Sequence, residues 1–115
     1  ADPLPDPIPA PLEAWDEARE NLDACEETVP ATLARESLVG QEIAHTLATA
    51  RLAVEHAIAT RKPGRPPAGM RGWLTDLAHL VHAEHVRLWH ARNRPGGLSR
   101  SAAHYQRLES RMREL

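Results

Sequence analysis

Cysteine occurs once in the 115 residues, at Cys25, which excludes an internal disulfide framework and a cysteine-rich zinc site. Phenylalanine is missing, and three tryptophans (Trp15, Trp73, Trp89) and Tyr105 are the only aromatic side chains. With β-branched residues also sparse, the chain lacks the material of a β-sheet. No apolar run approaches the roughly 20 residues of a membrane-spanning helix. Of the 14 Lys and Arg side chains only Lys62 is lysine, a bias that fits GC-rich coding better than any function. Catalytic signatures are missing too. There is no Ser-x-x-Lys, Gly-x-Ser-x-Gly, phosphate-cradling glycine loop or His-Glu-x-x-His.

What remains is helix-forming. Hydrophobic residues make up 42% and charged residues 26%, ordinary values for one soluble domain. Ala, Leu, Arg and Glu dominate, all strong helix formers. Residues 1–11 alternate proline with other residues, from Asp2-Pro3 to Ala10-Pro11. Proline fixes φ and drives its predecessor out of the α region, so this stretch reads as an extended, semi-rigid linker with a domain expected before it.

Residues 12–115 read as an all-α, antiparallel four-helix bundle behind that proline-rich segment. A first helix is predicted over about 11–28, with Leu12, Trp15, Ala18, Leu22, Cys25 and Val29 as a buried stripe ended by Pro30. A second covers about 32–60, with Val39, Ile43, Leu47, Ala50, Val54 and Ala57 in register. Leu38 and Leu52 lie on another side of it, which makes it central. A third runs over about 70–91 with Met70, Leu74, Leu77, Val81 and Leu88. A fourth covers about 99–114, with Ser99 as N-cap and Ala102, Tyr105, Leu108 and Met112 facing inward.

Charge is segregated along the chain. Residues 1–60 hold 12 acidic and three basic side chains, while residues 61–115 hold four acidic and 11 basic, within an overall net charge of −2. A basic half raises nucleic-acid binding as a reading. The simpler expectation is that the halves pack together or that the basic face meets an acidic neighbour. The Gly64-Arg65-Pro66 tract resembles a minor-groove hook, but only Arg61 and Lys62 flank it with charge, so it reads as an interhelical loop. No nucleic-acid or membrane partner is expected. The chain reads as soluble with the cytoplasm favoured, although no residue fixes a compartment.

Seven histidines invite a metal reading, in which Glu42 or Glu84 and histidines of a free-standing bundle hold an ion. His79, His82 and His85 step by three, and Glu42 with His45 spells Glu-x-x-His. On a helical wheel His85 falls in the apolar stripe and Glu84 at its margin, whereas His79 and His90 point away. Glu42 is off the second helix's stripe and His45 nearly opposite it. The histidines therefore read as scattered over the surface, with no metal or cofactor expected. Cys25 reads as core packing.

The most specific string is Leu88-Trp89-His90-Ala91-Arg92-Asn93-Arg94-Pro95-Gly96-Gly97-Leu98, followed by Ser101. It resembles a stretch near the C-terminus of bacterial β-N-acetylhexosaminidases of glycoside hydrolase family 20, in the subgroup with an all-helical domain after the catalytic barrel. About a dozen residues carry the resemblance. It implies that the barrel, with its Asp-Glu pair, lies in another part of the protein, so no catalytic residue is carried over. It also implies a structural corner: Trp89 anchors the end of the third helix, and Arg92 or Arg94 bonds freed carbonyls or a neighbouring domain. Asn93, Pro95, Gly96 and Gly97 then turn the chain into the fourth helix. The function expected is a non-catalytic accessory domain that packs on the preceding barrel or mediates homodimerisation.

Overall fold

A computed structural model describes residues 11–29, 33, 36–92 and 97–115. Pro11, extended at φ −66° and ψ 157°, caps α1 (Leu12–Thr28), and its carbonyl accepts the first bonds from Ala14 and Trp15. α2 spans Leu38–Arg61, α3 Ala68–Ala91 and α4 Leu98–Arg113, with no strand among the described residues. The fold is an all-α bundle in which consecutive helices pack antiparallel: α1 on α2, α2 on α3, and α3 on α4. Positions 1–10, Pro30 and the turn residues Asn93, Arg94, Pro95 and Gly96 lie outside the described residues.

The start of α2 differs from the expected continuous helix. Leu33 and Glu36 have helical backbone, but Ser37 is extended at φ −119° and ψ 145°. Its hydroxyl accepts the Gly40 N–H at 2.8 Å, a side-chain cap that competes with helix continuation. Gly40 is buried there, and a Cβ on it would sit 1.8 Å from the Leu33 carbonyl oxygen. At α4 the expected Ser99 cap is displaced by Gly97. Its left-handed φ of +76° turns the chain so that the helix begins one residue earlier.

α2 is the shared element. On one side Leu22 of α1 packs with Val54 and Ile58, bordered by Trp15, Ala18, Leu47 and Ala50. On the other side Leu52 and Ala59 pack with Leu74, Ala78, Val81 and Met112, bordered by Tyr105 and Leu108. Two expectations fail for one reason. Val39 and Ile43 continue the stripe that meets α1, yet they are exposed. α1 has 17 residues against 24 in α2, so at 1.5 Å per residue it is about 10 Å too short to cover them. Cys25 is likewise exposed rather than packed. Near the end of α1, α2 offers the Arg51 guanidinium, which takes Asp23 at 2.5 Å and Glu26 at 2.8 Å in place of an apolar contact.

Candidate functional site

Steps of three residues turn successive side chains on a helix by about 60°. His79, His82 and His85 therefore fan across α3 from its outer edge to the side facing α2 and α4. Glu109, projecting from α4, accepts from Nδ1 of His79 at 2.7 Å and from Nδ1 of His82. His85 lies deeper, with Nε2 2.8 Å from the Ser101 hydroxyl and its ring stacked on Tyr105 at 4.4 Å. His45 of α2 enters the same layer, its ring 5.6 Å from Tyr105, and donates Nε2–H to the Val81 carbonyl at 2.9 Å. Tyr105 also stacks on His82 and meets His104 edge-on.

This layer corrects the reading of scattered surface histidines. His45 faces inward because α2 is contacted on two sides, so the side opposite one stripe is the wall of the second core. His56 is buried as well, 7% exposed. Burial is the main cause that lowers the titration of His85, with His45, His82 and His104 adding repulsion. Burial also dominates for His56, aided by Arg111 and Arg61, and for His104, aided by Arg107. In each of these rings the surroundings favour the neutral form.

The donors do not converge. Glu42 and His45, four residues of sequence that looked like a ligand pair, go to different partners: Glu42 to Arg92 and His45 to the Val81 carbonyl. Nδ1 of both His79 and His82 is used by Glu109. Among the described residues no three His, Cys, Asp or Glu side chains are placed to hold one ion.

At the end of α3, Trp89 and Arg92 are the described corner residues with contacts to α2 and to the start of α4. Trp89 is half-buried and packs edge-on to His85 at 5.7 Å. A Cβ on Gly97 would lie 3.5 Å from Cζ2 of Trp89, so the indole sits over the left-handed turn. Arg92 donates to Glu42 on α2 through Nε and, at 2.5 Å, through Nη2, rather than to a helix-end carbonyl. A cleft of about 360 Å³ opens here, walled by Glu42, Thr46, His85, Trp89, Arg92 and Ser101.

A second polar cluster was not foreseen in the sequence. Glu55 is buried between α1 and α2, where Arg19 grips it with two bonds of 2.7 and 2.6 Å. Its only local sign is that it shares a helix face with Arg51, four residues earlier. Arg65 of the loop after α2 donates to the Leu115 carbonyl at 3.0 Å, which ties that loop to the C-terminal residue.

No protein-family model, no curated protein and no solved structure matches this chain. Among the described residues no helix is long and apolar enough to cross a membrane.

Proposed function

We propose that this chain is a non-catalytic helical accessory domain of a glycosidase resembling the family 20 β-N-acetylhexosaminidases, packed against the catalytic barrel that precedes it. The observation that carries the reading is the Trp89–Leu98 corner. Among the described residues of that string, Trp89 lies over Gly97 and Arg92 pairs with Glu42. A corner so used has a scaffolding task. Apolar surface for a neighbouring domain is at hand in Val39, Trp73 and Leu80, which are 58%, 44% and 66% exposed.

Two measurements test this. The coding sequence upstream of Ala1 should encode a barrel bearing an adjacent Asp-Glu pair, and a stop codon just upstream would refute the reading. The isolated 115-residue chain should not hydrolyse an N-acetylglucosaminide reporter above a no-protein blank. Turnover that survives repurification would overturn the non-catalytic assignment.

A further inference from the structure

A second cleft, of about 280 Å³, lies where α1, the end of α2 and the loop into α3 meet. Met70 on its wall and Trp89 at the corner are about 28 Å apart along α3, so the two sites occupy opposite ends of that helix. The floor of the cleft is apolar, with Ile58 and Ala59 of α2 only 2% and 8% exposed. Pro63, Pro66 and Met70 continue that surface on the loop side. The loop itself is tied down. The Lys62 N–H bonds the Ile58 carbonyl at 3.3 Å, Arg71 Nε donates to the Pro66 carbonyl at 3.1 Å, and Arg65 Nε donates to the Leu115 carbonyl at 3.0 Å. Pro63, Pro66 and Pro67 fix φ at their positions, so the shape of the cleft is set before a ligand arrives.

The charged residues of the lining differ in what they have left to bind. Glu55 is its one carboxylate among the described residues, and that group is already taken by Arg19 at 2.7 and 2.6 Å and by Arg51 at 3.4 Å. Lys62 and Arg65 are exposed, and neither is paired with a side-chain carboxylate among the described residues. Arg65 spends only Nε, on Leu115, and keeps both terminal nitrogens.

We propose that this cleft binds a small organic acid, a carboxylate on an apolar body, with the carboxylate on Lys62 and Arg65 and the body over Ile58 and Ala59. A guanidinium presents two parallel N–H groups to a planar carboxylate, and an ammonium adds a third donor. The apolar floor gains by shedding water onto a hydrocarbon chain. At roughly 30 Å³ per water the cleft has room for about nine waters, which suits an acid the size of hexanoate. An inorganic anion would leave the floor wet, and a neutral molecule would leave both cations unmatched. This inference concerns the far end of α3 from the Trp89 corner and does not need the glycosidase reading.

Titration of the isotope-labelled whole chain with sodium hexanoate at about pH 7, where the acid is ionised, tests it through the amide NMR shifts. Saturable shifts are expected at Ala59, Lys62, Gly64 and Met70, with a Kd below about 10 mM. Each buried methylene should tighten binding about fourfold, so hexanoate should bind at least about tenfold more tightly than butanoate. Hexanol and inorganic phosphate each lack one half of the ligand and should bind at least about tenfold more weakly than hexanoate. Lys62→Gln should weaken hexanoate at least about fivefold and leave hexanol unchanged. Arg65→Gln should weaken it similarly, but it also removes the bond to Leu115. Far-UV circular dichroism checks its helix content, and Lys62→Gln, whose ammonium holds nothing else among the described residues, carries the test if the fold is disturbed. The absence of saturable shifts around the cleft would overturn the proposal, as would shifts centred on the Trp89 corner or a Lys62→Gln chain that binds like wild type. Phosphate binding as tightly as hexanoate would mark a bare anion site, and hexanol binding as tightly a cleft indifferent to charge, and either result would overturn it.

Discussion

Gly40 and Gly72 look alike in the sequence, each a helix-weakening residue inside a helical pattern. The structure separates them. A Cβ on Gly40 would strike the Leu33 carbonyl, backbone that cannot swing aside, while a Cβ on Gly72 meets nothing within 4 Å. Gly40→Ala should therefore destabilise by about 1–3 kcal/mol despite alanine's better helix propensity. Gly72→Ala should stabilise by about 0.5–1 kcal/mol, through propensity and a less free unfolded chain. Urea melts of the two variants check both signs. The histidines teach the same lesson, because His45 and His79 are equally off-stripe on a wheel. One bonds the Val81 carbonyl within the bundle, and the other is half-exposed beside Glu109.

Among the elements, α2 was legible as central because apolar residues occupy more than one of its faces. Which face meets which neighbour was not legible, since that depends on the relative lengths and offsets of α1, α3 and α4. The corner between α3 and α4 was marked by Trp89 and the glycines that follow. Trp89 joins His85 on α3 to the left-handed Gly97 at the start of α4, so Trp89→Ala should cost about 3 kcal/mol, as large-to-small changes at packed sites do. His79→Ala is the control. Its ring is 55% exposed and Glu109 keeps its bond to His82 when that ring is removed, so the change should stay within about 0.5 kcal/mol. Thermal or urea unfolding measures the pair, and a reversed order would show that the His79–Glu109 contact holds α4 more strongly than the tryptophan does.

For the molecule as a whole, three histidines whose titration is lowered set a pH dependence. His56, His85 and His104 all titrate below their ordinary value of 6.5, burial being the largest cause in each. A histidine with a lowered folded pKa binds fewer protons in the folded than in the unfolded chain, so its contribution is complete above about pH 6.5 and is lost as pH falls through the folded pKa. The buried His56 alone can remove at most about 1.4 kcal/mol per pH unit in that window. The melting temperature should thus be flat above neutrality and fall from pH 6.5 downward. His56→Gln should make the decline shallower. A decline of equal slope in that variant would place the proton uptake elsewhere.

The sequence by itself determined the class of the fold. Apolar periodicity is a local property, and four such stripes separated by proline and glycine breaks leave little besides an antiparallel helical bundle. It also placed the break between α3, ending at Ala91, and α4, starting at Leu98, because turn residues act over a few neighbours. Only the tertiary structure decided the rest. Histidines from α2, α3 and α4 gather around Tyr105, Glu55 is clamped by Arg19, and Cys25 and Val39 stand exposed on faces that looked buried. Each of these outcomes depends on what lies across from a residue and not on what lies beside it. Whether a face is covered follows from the length and position of a second helix, which no pattern within the first can encode.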